Sequence, residues 1–189
     1  MIEIERKFRL SPDKKKAIEE EVQAKYGPIK PVRQTDEVFL QGMDSFATFK
    51  QGMPITRLRT AAGVTTLAYK RRLNDGGDML EHELVVSSSD TMRAILSEMD
   101  YRPVTKVDKI RIEVKVSAMA IALDTVDGLG DFLEIEVMAK DESGLEATEH
   151  QIMVAAAEFG LTEADLEPRK YDHMVAALKS RRDSGLFPK

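Results

Sequence analysis

Apolar and polar residues alternate along most of the chain from Thr56 to Lys140. A three-to-four-residue period replaces the alternation near the start, once in the middle and again at the end. This pattern predicts an antiparallel sheet with added helices. A first strand is expected at about Ile2–Leu10, followed by a helix opened by Ser11-Pro12-Asp13, with Ser as N-cap and Pro at the first helical position. That helix should run to Tyr26 and stop at Gly27-Pro28. Short strands are expected at Asp36–Leu40 and Phe46–Lys50, then longer ones at Pro54–Thr60, Thr65–Arg72 and Met79–Val86. Turns at Ala62-Gly63 and Asn74-Asp75-Gly76-Gly77 would join these last three as hairpins. Ser89 or Asp90 would cap a helix carrying Met92, Ile95, Leu96 and Met99. Strands Val104–Val116, Met119–Val126 and Phe132–Met138 follow, the last two joined by Asp127-Gly128-Leu129-Gly130. Two helices close the chain, one marked by Ile152, Ala155, Ala156 and Phe159, the other by Met174, Ala177 and Leu178.

Side chains in a strand point alternately to two faces, so parity sorts each strand into two sets. Ile2, Ile4, Phe8 and Leu10 share one face, interrupted by Arg6, while Glu3, Glu5, Lys7 and Arg9 line the other. Arg57 pairs with Arg59 in this sense, Lys70 with Arg72, and Glu81 with Glu83. Lys109, Arg111, Glu113 and Lys115 oppose Ile110, Ile112, Val114 and Val116. Glu134 and Glu136 oppose Leu133, Ile135 and Val137, and Asp124 stands out on its strand. The ordinary reading is a sheet with one solvated face. A solvated face, however, usually mixes Ser, Thr, Asn and Gln with its charges, whereas this one is built mainly of carboxylate, guanidinium and ammonium groups. If the sheet curls into a barrel, alternation places one set inside, and a charged interior must be hydrated or hold ions or a charged ligand.

Two carboxylates at i and i+2 of a strand stand about 6–7 Å apart on one face. Three such pairs occur: Glu3/Glu5, Glu81/Glu83 and Glu134/Glu136. Hard oxygen donors of this kind suit Mg²⁺ or Mn²⁺, and Mg²⁺ is commonly held by one or two carboxylates plus substrate phosphates. The basic set Lys7, Arg57, Arg59, Lys70, Lys109 and Arg111 would supply a phosphate clamp. Acid and base mixed in one cavity point to a metal together with a polyanion.

Composition narrows the partners. The 189 residues carry 28 Lys and Arg against 33 Asp and Glu, a formal charge of −5, which disfavours nucleic acid and anionic membranes. The length fits one domain over 1–189. There is no cysteine, which excludes disulfides and thiolate chemistry. The opening MIEIERKF shows no secretory pattern and no long apolar run follows, so a cytoplasmic location is expected. His82, His150 and His173 lack metal-like spacing, Gly128-x-Gly130 reads as a hairpin turn, and the ten methionines read as core filler.

The opening Glu3-Ile4-Glu5-Arg6-Lys7 resembles the Glu-x-Glu-x-Lys signature of the CYTH superfamily. That superfamily takes its name from class IV adenylate cyclases and thiamine triphosphatases, and is also known as the triphosphate tunnel metalloenzymes. Further matches follow in order: Arg57-Leu58-Arg59, Thr66-Leu67-Ala68-Tyr69-Lys70, Glu81-His82-Glu83, Lys109-Ile110-Arg111, and the block LDTVDGLGDFLEIE from Leu123 to Glu136. The resemblance spans roughly Met1 to Tyr171. It implies an α+β fold, an eight-stranded antiparallel β-barrel forming a tunnel with a charged interior and helices packed outside. It also implies Glu3, Glu5, Asp124, Glu134 and Glu136 as metal ligands, with Glu5 and Glu136 catalytic. Lys7, Arg57, Arg59, Lys70, Lys109 and Arg111 would bind the triphosphate, with lesser roles for Glu81, Glu83, Arg72 and Tyr171. Arg71-Arg72 stands where many relatives have a small residue or proline, and Val38-Phe39 where an aromatic pair is frequent. The expected activity is Mg²⁺- or Mn²⁺-dependent hydrolysis of a small triphosphate. Class IV adenylate cyclase chemistry is the alternative, and a non-catalytic polyphosphate-binding module a third reading. The barrel edges and C-terminal helices leave room for a homodimer.

Overall fold

The computed structural model describes residues 2–50, 52–72, 79–139 and 144–183. Within those spans the side chains of residues 2, 3, 72, 79, 139 and 181–183 are not described. Among the described residues are eight strands and four α-helices. These are β1 (Ile2–Leu10), α1 (Pro12–Tyr26), β2 (Val32–Gln41), β3 (Pro54–Ala61), β4 (Val64–Arg72), β5 (Met79–Val86), α2 (Ser89–Glu98), β6 (Tyr101–Val116), β7 (Met119–Val126), β8 (Gly130–Ala139), α3 (Leu145–Glu158) and α4 (Tyr171–Asp183). The strands form a closed antiparallel barrel in the order β1-β5-β4-β3-β2-β6-β7-β8. Its seam is short: Ile2 lies opposite Leu80 and Glu3 opposite Met79. On its other side β1 pairs with β8 along its whole length, from Ile2 opposite Ala139 to Leu10 opposite Asp131.

Local chemistry accounts for most element ends. Ser11 caps α1 by accepting from the Lys14 amide, Pro12 occupies the first turn, and Gly27 ends the helix at φ 85° with its N–H on the Gln23 carbonyl. The β3–β4 hairpin turns through Ala62 and Gly63, both at positive φ, the conformation that matches the twist of the flanking strands. Gly128 and Gly130, at φ 77° and 98°, make the β7–β8 turn.

Three expectations need correction. Phe46–Thr48 is a 3-10 turn rather than a strand, because the Ser45 hydroxyl accepts from the Ala47 amide. Phe46 and Phe49, three apart, pack together over Val38, Leu40 and Ile55 instead of alternating across a sheet. The cap of α2 is Ser88, one residue early, its side chain accepting from the Thr91 amide. Strand β6 begins at Tyr101 and β2 at Val32. The register between them shifts at Val38/Phe39, where Val38 faces Thr105 and Phe39 faces Pro103, so a bulge accommodates the proline. The turn expected at Asn74–Gly77 lies outside the described residues.

The barrel carries its apolar side chains outward and its charges inward. Ile4, Phe8, Ile112, Leu123, Leu133 and Ile135 form the outer face of β1, β6, β7 and β8, and α1 and α3 cover it with Ile18, Val22, Ile152 and Ala156. Helix α2 places Leu96 over Phe39 and Leu58. Helix α4 instead plugs an end of the barrel. Its Tyr171, Met174 and Val175 pack on Val107, Val126 and Phe132, each an inward-facing residue two positions from a charged one on its strand. Leu133 is wholly buried in the outer core and points away from the interior. Leu133→Ala should therefore cost about 2–5 kcal/mol of stability. Urea unfolding will check it.

Candidate functional site

Parity and register bring inward charges of β1 to β6 and β8 into one cavity of about 970 Å³. Glu5, Lys7, Arg57, Arg59, Lys70, Glu81, Glu83, Lys109, Arg111, Glu134 and Glu136, which parity assigns to one face of their strands, line it, and Tyr171 joins them from α4. The expected charges do not fall in a random mixture. Glu5 lies directly opposite Glu136, and Lys7 opposite Glu134, across the β1–β8 pair. One wall is thus rich in carboxylates. β3, β4 and β6 contribute the guanidinium and ammonium groups of Arg57, Arg59, Lys70, Lys109 and Arg111. Ala120, on the inward face of β7 opposite Glu136, and Ala122, on the same face, keep the β7 wall free of bulky side chains.

Ion pairs hold the basic groups in place. Arg59 clamps Asp36 with two bonds of 2.7 Å, from Nε and Nη2. Arg57 reaches Glu81 and Glu83, each at 3.2 Å, and Lys70 reaches Glu81 at 2.7 Å. Asp124 is fully buried and its oxygens are taken by Lys109 at 2.9 Å and by Arg111 at 2.7 and 2.5 Å. Arg111 also bonds Glu134. Asp124 does not line the cavity. In this arrangement its two oxygens accept from Lys109 and Arg111. The side chains of Glu3 and Arg72 lie outside the described residues.

The electrostatics follow from this packing. Burial and the neighbouring Glu5 push the Glu134 carboxyl up, but Lys109, Arg111 and Lys7 outweigh them and hold it below its ordinary value. Burial and Arg111 lower the Lys109 ammonium, with Asp124 and Glu134 opposing. Burial lowers Arg111, yet Asp124 and Glu134 carry it well above its usual range. Burial also works against the charged Asp36, and the Arg59 clamp overcomes it, bringing the carboxyl to about 2.

Three charged contributors escaped the sequence reading: Asp36, Lys170 and Asp172. Asp36 could have been found by its parity with Val38 once β2 was extended to Val32. Lys170 could not: its ammonium sits 3.0 Å from Glu5 because the segment after α3 crosses the barrel end, a path no local pattern encodes.

Among the described residues, no three His, Cys, Asp or Glu side chains are gathered tightly enough to hold a metal ion by themselves. The donor chemistry nonetheless fits a hard divalent cation completed by phosphate oxygens. Glu5 and Glu136 are like charges directly opposite each other, an arrangement a cation relieves, and the Lys170 ammonium already sits at Glu5.

The pattern that defines the CYTH domain matches residues 1–171. The chain belongs to the CYTH family. It is 31% identical over 86 residues to adenylate cyclase CyaB of Aeromonas hydrophila, covering 46% of this chain and 45% of that protein. The chain thus spans about half the length of that relative. It is 30% identical over 143 residues to a candidate adenylate cyclase of Methanocaldococcus jannaschii, covering 75% and 79%. Among solved structures, the PH1012 protein of Pyrococcus horikoshii OT3 superposes with a TM-score of 0.75 at 23% identity, covering 92% of this chain and 99% of that one. HpAC1 of Hippeastrum, described as an adenylyl cyclase candidate with a dominant triphosphatase activity, superposes with a TM-score of 0.58 at 17% identity, covering 97% and 95%. In this CYTH barrel, Glu5 and Lys7 of the signature share a face of β1 with their backs to the outer core. No helix among the described residues is long and apolar enough to cross a membrane.

The Asp36–Arg59 clamp has a pH signature. Folding lowers the Asp36 pKa from 3.8 to about 2, so its contribution is full above the unfolded value and is lost as pH falls through the folded one. The shift corresponds to roughly 2 kcal/mol. Asp36→Asn should be less stable than the parent near neutral pH, and the gap should narrow as pH falls from about 4 towards 2, read as urea midpoints.

Proposed function

We propose that this protein is a divalent-metal-dependent triphosphatase, acting on inorganic triphosphate, thiamine triphosphate or a nucleoside triphosphate. The charge balance of the cavity carries this reading. Among its described lining residues, eight acidic side chains face eight cationic ones. A cavity balanced in this way cannot take up a polyanion alone, because each added negative charge would be left uncompensated at low dielectric. A triphosphate entering with divalent cations meets both requirements: its oxygens find the basic wall, and the cations find the carboxylates.

Arg57, Arg59, Lys70, Lys109 and Arg111 would bind the phosphate oxygens and stabilise the charge that develops as the bond to the departing phosphate breaks. Asp36 and Asp124 would hold these cations in fixed orientations. Glu5, Glu134 and Glu136, with Glu3, would hold Mg²⁺ or Mn²⁺, which neutralises phosphate charge when bound. Glu5 or Glu136 would orient the attacking water in line with the leaving group. The triphosphatase activity described for HpAC1 supports the hydrolytic direction.

The names of the relatives favour a second reading, class IV adenylate cyclase chemistry. The same clamp would then present the α-phosphorus of ATP to its own 3′-hydroxyl, with pyrophosphate leaving. Product analysis with Mg²⁺ or Mn²⁺ separates the two. Orthophosphate from ATP, thiamine triphosphate or tripolyphosphate is expected; cyclic AMP plus pyrophosphate would establish the cyclase. Glu136→Gln and Glu5→Gln should each lower turnover roughly 100-fold or more. Near-normal turnover in both would refute the assignment. Arg57→Ala should mainly raise KM, by roughly 10- to 100-fold.

A further inference from the structure

After α3 the chain returns to the barrel end through residues 160–170, and backbone bonds anchor that approach to β1. Leu166 bridges Phe8, the Glu167 N–H donates to the Lys7 carbonyl at 2.8 Å, and Arg9 holds the Glu167 carboxylate at 3.1 Å. Three residues later the Lys170 side chain enters the cavity and places its ammonium 3.0 Å from Glu5 Oε2. The Lys170 carbonyl accepts from the Met174 amide in the first turn of α4, so its backbone is held from both sides.

The two lysines at Glu5 differ in kind. Lys7 lies within the sheet, its side chain 3% exposed, 3.8 Å from Glu5 and 3.6 Å from Glu134, with the Tyr171 ring centroid 4.2 Å away. Such a group is packed in place. The Lys170 side chain is 32% exposed, and a lysine is a compact charge on a flexible stem. Its ammonium can leave Glu5 while the backbone of the plug stays where it is.

Charge gives the position of that ammonium a consequence. Glu5 lies opposite Glu136 across the β1–β8 pair, and like charges directly opposite each other are unfavourable. Lys170 supplies compensation at Glu5. A divalent cation would need the same oxygen, at about 2.0–2.1 Å in the case of Mg²⁺. An ammonium and a divalent cation on one carboxylate oxygen would face each other across a few ångströms, where like charges in a partly buried site repel strongly.

We propose that Lys170 is a built-in counter-ion of the metal site: it neutralises Glu5 in the protein without metal, yields that oxygen to a divalent cation, and turns its ammonium to the phosphate that arrives with the metal. This inference rests on the triphosphate reading. It makes uptake of metal and polyanion mutually dependent. A polyanion that draws Lys170 away opens Glu5 to the cation, and a cation on Glu5 releases Lys170 to the polyanion. Two ligands that exchange one side chain between them are coupled, and the coupling is reciprocal.

Lys170→Met keeps an unbranched stem and removes the charge. Calorimetric titration with Mn²⁺ alone reads the exchange, and thermal melts with and without Mn²⁺ read its effect on stability. The variant should bind Mn²⁺ roughly 10-fold more tightly than the parent. Its Tm should also rise more on addition of Mn²⁺. At saturating Mn²⁺ it should bind bismethylene triphosphate, whose P–C bonds resist hydrolysis, roughly 10-fold more weakly. Lys115→Met is the control: Lys115 lines the same cavity from the exposed end of β6, and its loss should leave Mn²⁺ affinity within about twofold. Unchanged or weaker Mn²⁺ binding by Lys170→Met would overturn the proposal, as would unchanged binding of the analogue or an equal gain in Lys115→Met. A lowered Tm that Mn²⁺ does not restore, with Mn²⁺ affinity unaltered, would reduce the ion pair to a pin for the plug. If the parent and both variants bind neither Mn²⁺ nor the analogue, the metal-dependent reading falls and takes this inference with it, an outcome distinct from the others.

Discussion

Every feature of this molecule depends on charges placed inside a barrel, away from bulk water, where each must be compensated by a neighbour. The network of Lys109, Arg111, Asp124 and Glu134 is the densest case, with Asp124 fully buried and Glu134 held ionised between three cations. Such networks contribute little to stability, because the cost of stripping water from the ions offsets much of their attraction. A barrel filled with aliphatic residues would fold at least as well. Stability comes instead from the outer face, where α1 and α3 bury the apolar half of β1, β6, β7 and β8.

This inversion of the usual order explains the division of labour among the acidic residues. Asp36 and Asp124 are consumed by cations of the basic wall. They hold the guanidinium and ammonium groups in fixed orientations, so that on the proposed reading little reorganisation would be needed to receive phosphate oxygens. Glu5, Glu134 and Glu136 cluster on the β1–β8 wall, with Lys7 and Lys170 set among them. The cavity is therefore polarised across its width rather than uniformly charged. The plug polarises it along its length, since α4 and Phe132 fill one end and the charged groups begin immediately above.

Much of this was legible in the residues. The two-residue period located β1, β5 and β7 to the residue, and the Ser-Pro-Asp start placed α1, because these signals are local and act through backbone geometry and capping. The segment Phe46–Lys50 misled for an equally local reason: a short apolar run has no period of its own, and the Ser45 hydroxyl wins the competition for the backbone. The match of the CYTH pattern to residues 1–171 agrees with the extent over which the motifs recur.

The alternation by itself determined which side chains share a face, and so which charges enter the barrel, because the period of a strand is set by its pleat. It did not determine which of those charges meet. Pairing across strands depends on the register of the closed sheet, which set Glu5 against Glu136 and set Asp124 against Arg111 rather than against the carboxylates. Nor did it determine that α4 would close one end and bring Lys170 and Tyr171 to the cavity, since that follows from the docking of a distant helix on Val107, Val126 and Phe132. Periodicity is a property of neighbours in the chain; compensation of buried charge is a property of neighbours in space, and only the folded barrel brings those together.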